Sequence, residues 1–157
     1  MGTNKTQNLL SVLSRAVDVF GEDKTAQILN DATVNKPKVE FINFVISMVC
    51  ERLKFHPNSI TSKSRNKKRM IVVKLICYYA YVFGNKYPIF IVNKNSTRKT
   101  NICYTEIADI IQRDEKIVRC YCNEIINQRD KNNFYYDDFN YFDEVINTYI
   151  HQHTLTI

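Results

Sequence analysis

Apolar residues recur every three or four positions through most of this chain, the spacing that gives a helix one face to bury. In residues 6–20 the stripe is Leu9, Leu10, Val12, Leu13, Ala16, Val17 and Phe20, and Gly21 follows where a helix end favours glycine. Asp23 is placed to cap a second, shorter helix carrying Ala26, Ile28 and Leu29, after which Asn35, Lys36 and Pro37 break the pattern. Residues 41–53 resume it with Phe41, Ile42, Val45, Met48, Val49 and Leu53, ending before Pro57, which disfavours helix at His56. Further helices are predicted over residues 67–83, ended by Gly84, and over 104–111, 114–128 and 138–150. The expected fold is mainly α, a helical bundle.

Residues 85–102 are longer than a bare connection in a compact domain, since loops beyond about 12–15 residues usually carry structure or function. The β-branched and aromatic run 88–92, paired with 100–104, predicts a short β-hairpin insert. Its polar tip would carry Lys94, Arg98 and Lys99 as a candidate wing.

Glycine is scarce: Gly2, Gly21 and Gly84 are the three in 157 residues. Phosphate-cradling and dinucleotide-binding loops need clustered glycines, so Walker-type and Rossmann chemistry are excluded. The net charge of +6 hides an uneven distribution. Residues 1–51 hold 5 bases and 6 acids, residues 52–105 hold 12 bases and no acid, and residues 106–157 hold 5 bases and 10 acids. A positive field confined to one segment suits a polyanion, because neutralising phosphates releases condensed counterions and steers encounter. Nucleic acid is the first candidate partner and an anionic membrane surface the second.

Cysteine chemistry points to a reducing compartment, and a cytoplasmic protein is expected. Cys50, Cys77, Cys103, Cys120 and Cys122 are odd in number and lie in apolar, helix-like surroundings rather than a disulfide framework. Cys120 and Cys122 are two apart, nearly opposite on a helix, so no metal site is expected; no cofactor is expected either. The longest apolar run, residues 75–83, is too short to span a bilayer, and no membrane association is expected. With three histidines, two of them (His151, His153) near the terminus, no nucleophile–base arrangement can be assembled, and the chain is not expected to be an enzyme.

Three pieces of the middle segment, in order, carry a family resemblance. VCERLKFHPNSITSKSR (residues 49–65) runs from a helix into a basic loop, a helix follows from Lys67, and YTEIADIIQRDEKIV (residues 104–118) has helix-turn-helix spacing. Over roughly residues 39–128 the chain resembles the C-terminal DNA-binding domain of the bacterial replication initiator DnaA, a Trp-repressor-like helical domain. The resemblance implies that the basic loop grips the DNA backbone through Lys63 and Arg65, with Lys67, Lys68 and Arg69 close behind. It also implies that Arg113 and Asp114 open a helix entering the major groove. On that helix Glu115, Lys116, Arg119 and Asn123 share a face, and such side chains read cytosine, guanine and adenine edges. The chain departs from the family pattern at Glu115, Lys116 and Ile117, in a turn without glycines, and in the longer insert; the initiator's ATPase domain is absent.

The expected organisation is an N-terminal helical hairpin over residues 1–36, the DNA-binding domain over 37–130, and an acidic, aromatic C-terminal helix over 131–157 packing on it. The expected function is double-stranded DNA binding in an accessory or regulatory role. The alternative is a protein-interaction adaptor docking through the N-terminal hairpin or through the aromatic segment around Phe134, Tyr135 and Tyr136.

Overall fold

The computed structural model describes residues 3–30, 36–86, 102–131 and 136–154. Seven α-helices cover them: α1 Thr3–Phe20, α2 Glu22–Asn30, α3 Lys36–Arg52, α4 Lys67–Lys86, α5 Tyr104–Ile111, α6 Glu115–Lys131 and α7 Tyr136–Thr154. A single 3-10 turn, Pro57–Ser59, lies between α3 and α4. The described residues contain no strand, so the mainly α expectation holds. The candidate hairpin's run 88–92 and its wing residues Lys94, Arg98 and Lys99 fall outside the described residues; Tyr104, shared by the candidate hairpin and the helix predicted over 104–111, is the first residue of α5.

The chain divides into two compact units, Met1–Pro37 and Lys38–Ile157. In the first, α1 packs on α2 across Gly21, whose φ of +83° is the left-handed conformation a helix C-terminus requires. Its amide donates to the Val17 carbonyl at 2.8 Å, closing α1. Helix α2 begins at Glu22, so Asp23 lies in the first turn rather than at the cap, where its charge still favours the positive helix end.

The second unit is built around α4, whose residues Val72, Val73, Leu75, Ile76, Cys77, Tyr78, Tyr79, Ala80 and Phe83 are all buried. A helix apolar on every side can be satisfied only when surrounded. Phe41, Ile42, Val45 and Val49 of α3, Ile107 and Ile111 of α5, Val118, Cys122 and Ile125 of α6, and Phe139, Phe142, Ile146 and Ile150 of α7 supply the cover. Two boundaries differ from the sequence pattern. Pro37 does not end a helix but sits in the first turn of α3, where its missing N–H removes no intrahelical bond. Gly84 does not end α4, which continues to Lys86. Gly84 is buried where Ile102 crosses the helix: an added Cβ would lie 2.5 Å from Ile102 Cδ1 and 3.3 Å from Phe41 Cε1.

Polar ties fix the helices around this core. Asn85 donates to the Ile102 carbonyl at 3.0 Å, joining the end of α4 to the entry of α5. Lys38 pairs with Glu106 at 2.9 Å, and Glu106 also accepts from the Cys103 amide at 2.7 Å, capping α5. On the α7 side Arg129 pairs with Asp143 and donates to the Tyr78 hydroxyl at 2.9 Å, while the Tyr79 hydroxyl donates to Asp143 at 3.0 Å. These bonds to Asp143 and Tyr78 outweigh desolvation of the Arg129 guanidinium and hold its pKa up. Burial, reinforced by the Asp143 charge, raises that of the Tyr79 phenol. Arg52 meets Asp138 at 2.9 Å and lies over the Tyr141 ring. The C-terminal helix is thereby part of the bundle, with Phe139 and Phe142 in its core.

Candidate nucleic-acid interface

The connection between α3 and α4 turns twice before it becomes basic. Lys54 adopts φ +52°, and the His56 Nδ1 accepts from the Asn58 amide at 3.2 Å, fixing the 3-10 turn. Ile60 then enters the core at 3% exposure and anchors the loop from below. Asn66 accepts from the amides of Lys68 at 2.9 Å and Arg69 at 3.3 Å, and so caps α4. Lys67, Lys68 and Arg69 therefore stand on the first helical turn rather than in the loop.

Opposite the loop, α5 and α6 are joined by a three-residue turn. Gln112 closes α5 in the left-handed conformation, φ +54°, and Asp114 accepts from the Lys116 amide at 2.8 Å to start α6. Between them Arg113 turns its guanidinium away from solvent and onto the basic loop. Its Nη2 donates to the carbonyls of Ile60 at 3.1 Å and Ser62 at 2.6 Å, and its Nη1 to those of Thr61 and Gln112, both at 3.1 Å. The planar fork of arginine matches this set of carbonyls. Arg69 holds the other side of the loop, donating to the Ser59 carbonyl at 2.8 Å and the Ser64 carbonyl at 2.8 Å, with the Ser64 hydroxyl also in contact.

Loop and turn together enclose an open groove of about 680 Å³. Lys63, Ser64, Arg65, Asn66 and Arg69 line one wall, and Gln112, Arg113, Asp114, Ile117 and Tyr121 the other, with Met70 and Val73 at the floor. The amino ends of α4 and α6 both border it, adding the positive ends of two helix dipoles to the side-chain charge.

The eleven candidate site residues that can be located thus differ in what their side chains do. Lys63, Arg65, Lys67 and Lys116 are exposed and have no side-chain hydrogen bond or ion pair among the described residues, leaving their charges available. Arg69 and Arg113 are committed to the loop backbone, and Lys68 donates to the Lys54 carbonyl at 3.2 Å. Glu115 and Arg119 pair with each other at 3.3 Å; Thr105 also donates to Glu115 at 3.1 Å, and Arg119 lies over the Tyr104 ring. Asp114 is spent on the cap.

Asn123 is exposed on α6 two residues beyond Tyr121 and does not line the groove. The acids of α6 are therefore mostly neutralised, since Glu124 is likewise paired, with Lys74 of α4. Asn66, Met70, Ile117 and Tyr121 belong to the groove but were not singled out from the sequence. Asn66 immediately before a helix is a cap signal, and Ile117 and Tyr121 share one face at i, i+4.

No group of three or more metal-ligating side chains occurs among the described residues. Cys103 and Cys120 are exposed, whereas Cys50, Cys77 and Cys122 are buried. Desolvation pushes the Cys50 thiol up to about 11 and that of Cys122 to about 12. No described helix is long and apolar enough to cross a membrane. The chain matches no protein-family model, no curated protein and no solved structure.

Proposed function

We propose that this protein binds double-stranded DNA through the groove between the basic loop and α6, in an accessory or regulatory role and without catalysing a reaction. The observation that carries the proposal is the placement of unpaired Lys63 and Arg65 in the wall of one concave surface, with unpaired Lys67 and Lys116 on the first turns of the two helices whose amino ends border it. Arg113 and Arg69 preform the loop, so little conformational entropy is lost when phosphates are gripped. The order of helix, basic loop, helix and two helices joined by a tight turn supports the likeness to the replication initiator's C-terminal domain. In this reading α5 and α6 form the helix-turn-helix. Lys116 is placed for guanine, and the 40% exposed Ile117 supplies apolar contact for a thymine methyl.

Four free cations give an expected slope of log affinity against log salt of about −4, from about 0.9 counterions per neutralised phosphate. Fluorescence anisotropy on a labelled duplex across a salt series measures it. Affinity that is insensitive to salt, or that survives the triple substitution K63E/R65E/K67E, would sink the proposal. The protein-interaction reading is favoured by a separate observation, the apolar exposure of α1, and concerns the other unit of the chain.

A further inference from the structure

The N-terminal unit cannot bury itself. Among its side chains described, those of residues 6–29, Thr25 alone is buried, and the unit as a whole is 37 residues, below the roughly 40 at which a domain usually needs a staple or an oligomer. Its large apolar residues stand in solvent: Leu9 and Leu10 at 62%, Val12 at 58%, Val19 at 72% and Phe20 at 50%.

Their spacing is specific. Leu9, Val12, Ala16 and Val19 follow steps of three, four and three, the seam that packs one helix against another as knobs into holes. A parallel seam, Leu10, Leu13, Val17 and Phe20, is the one α2 partly covers: Leu13 and Val17 are half-buried. The first seam is left open apart from Ala16.

We infer that α1 and α2 form a self-association module in which the open seam of one copy packs against that of a second copy of this chain. Charge argues for a second copy. Residues 1–37 hold four bases (Lys5, Arg15, Lys24, Lys36) and four acids (Asp18, Glu22, Asp23, Asp31). Two such neutral units meet without repulsion and offer no field to a charged partner.

Area argues for it too. Burying a Val, Leu or Phe side chain removes roughly 60–120 Å² of apolar surface, the area equivalent of its transfer energy. The exposed fractions of Leu9, Val12 and Val19 in the open seam, together with those of Leu10 and Phe20 beside it and of Ile28 at 48% and Leu29 at 44% on α2, therefore offer roughly 400 Å² per copy. At the roughly 65% apolar content of homodimer interfaces this corresponds to about 600 Å² per copy, approaching the roughly 800 Å² of a standard stable interface. The paired module is a four-helix arrangement with an isologous, two-fold interface.

Sedimentation equilibrium of the full chain tests this. The expected species is a dimer of twice the 18.5 kDa chain mass at micromolar concentration. V12E and V19E, which place a carboxylate in the seam, should each raise the dissociation constant by about 100-fold or more, because two unpaired charges are buried per dimer. I126E, on an exposed apolar position of the other unit, should leave the dimer intact. Circular dichroism checks that the variants keep their helix. A chain that is monomeric at tens of micromolar, whose patch must then belong to a different partner, overturns the inference. So does a dimer that V12E and V19E leave unchanged.

Discussion

Replacing Arg113 with lysine keeps the charge at the groove and removes the fork that holds the basic loop. Four carbonyl contacts lie within 2.6–3.1 Å of the two terminal nitrogens, on Ile60, Thr61, Ser62 and Gln112. A single ammonium cannot reach all of these divergent acceptors. A hydrogen bond to a charged group contributes about 1.5–3 kcal/mol net. Losing two of them, discounted by a third or more because the side chain is half-exposed, gives about 2 kcal/mol.

That loss falls on the loop rather than on the core, because Val72, Val73, Ile76 and Tyr79 stay buried in the bundle. Residues 60–66 should open about 30-fold more often in R113K, at 1.4 kcal/mol per tenfold, while the global unfolding midpoint moves less. Native-state hydrogen exchange read on peptides spanning the loop measures this. The amides of Ile60, Ser62 and Asn66, bonded at 3.2, 3.3 and 3.1 Å, are the reporters. DNA affinity should fall while its salt slope stays the same, since no cation is lost. Unchanged loop protection together with a large loss of DNA affinity would refute the argument, because Arg113 would then act on DNA directly.

Gly84→Ala should destabilise the bundle by about 1 kcal/mol, overpacking of about 1–3 kcal/mol outweighing a helix-propensity gain of about 1 kcal/mol. In an Ile102→Val background, which removes the Cδ1 atom 2.5 Å from the new Cβ, the same change should be neutral or stabilising; thermal melts of the four proteins decide it. Two thiols, Cys103 and Cys120, should react with a thiol reagent in the native protein at pH 8, and the remaining three only on unfolding. Because the folded Cys50 and Cys122 keep their protons up to about 11 and 12 while the unfolded thiols lose theirs near 9, the unfolded state binds fewer protons above pH 9. Stability is therefore full below pH 9 and falls above it, by up to about 1.4 kcal/mol per pH unit per thiol; C50A/C122A should flatten the decline in denaturant titrations.

Much of the fold could be read from periodicity, which reports how each helix is buried and needs no knowledge of its neighbours. The α5–α6 pair lies where its spacing predicts, and the helix predicted over 67–83, which holds the longest apolar run, is the central one. Helix ends were less legible where the same residue serves two purposes. Gly84 reads as a terminator, yet its missing side chain makes room for Ile102, a contact 18 residues away that no local pattern encodes. Pro37 reads as a breaker, but a first-turn proline costs a helix nothing.

Charge segregation belongs to the sequence alone: twelve bases and no acid over residues 52–105 put a positive field somewhere in the middle of the chain. Which of those bases are free was decided only by tertiary structure. Arg69 looks as available as Lys63 and Arg65 in the sequence, as does Arg113 beyond that segment, yet their guanidinium groups are drawn to backbone carbonyls of the loop. Carbonyls in an irregular loop need donors wherever water is excluded. A sequence shows the donors it holds, but the carbonyls that claim them are positioned by the packing of helices far apart in the chain.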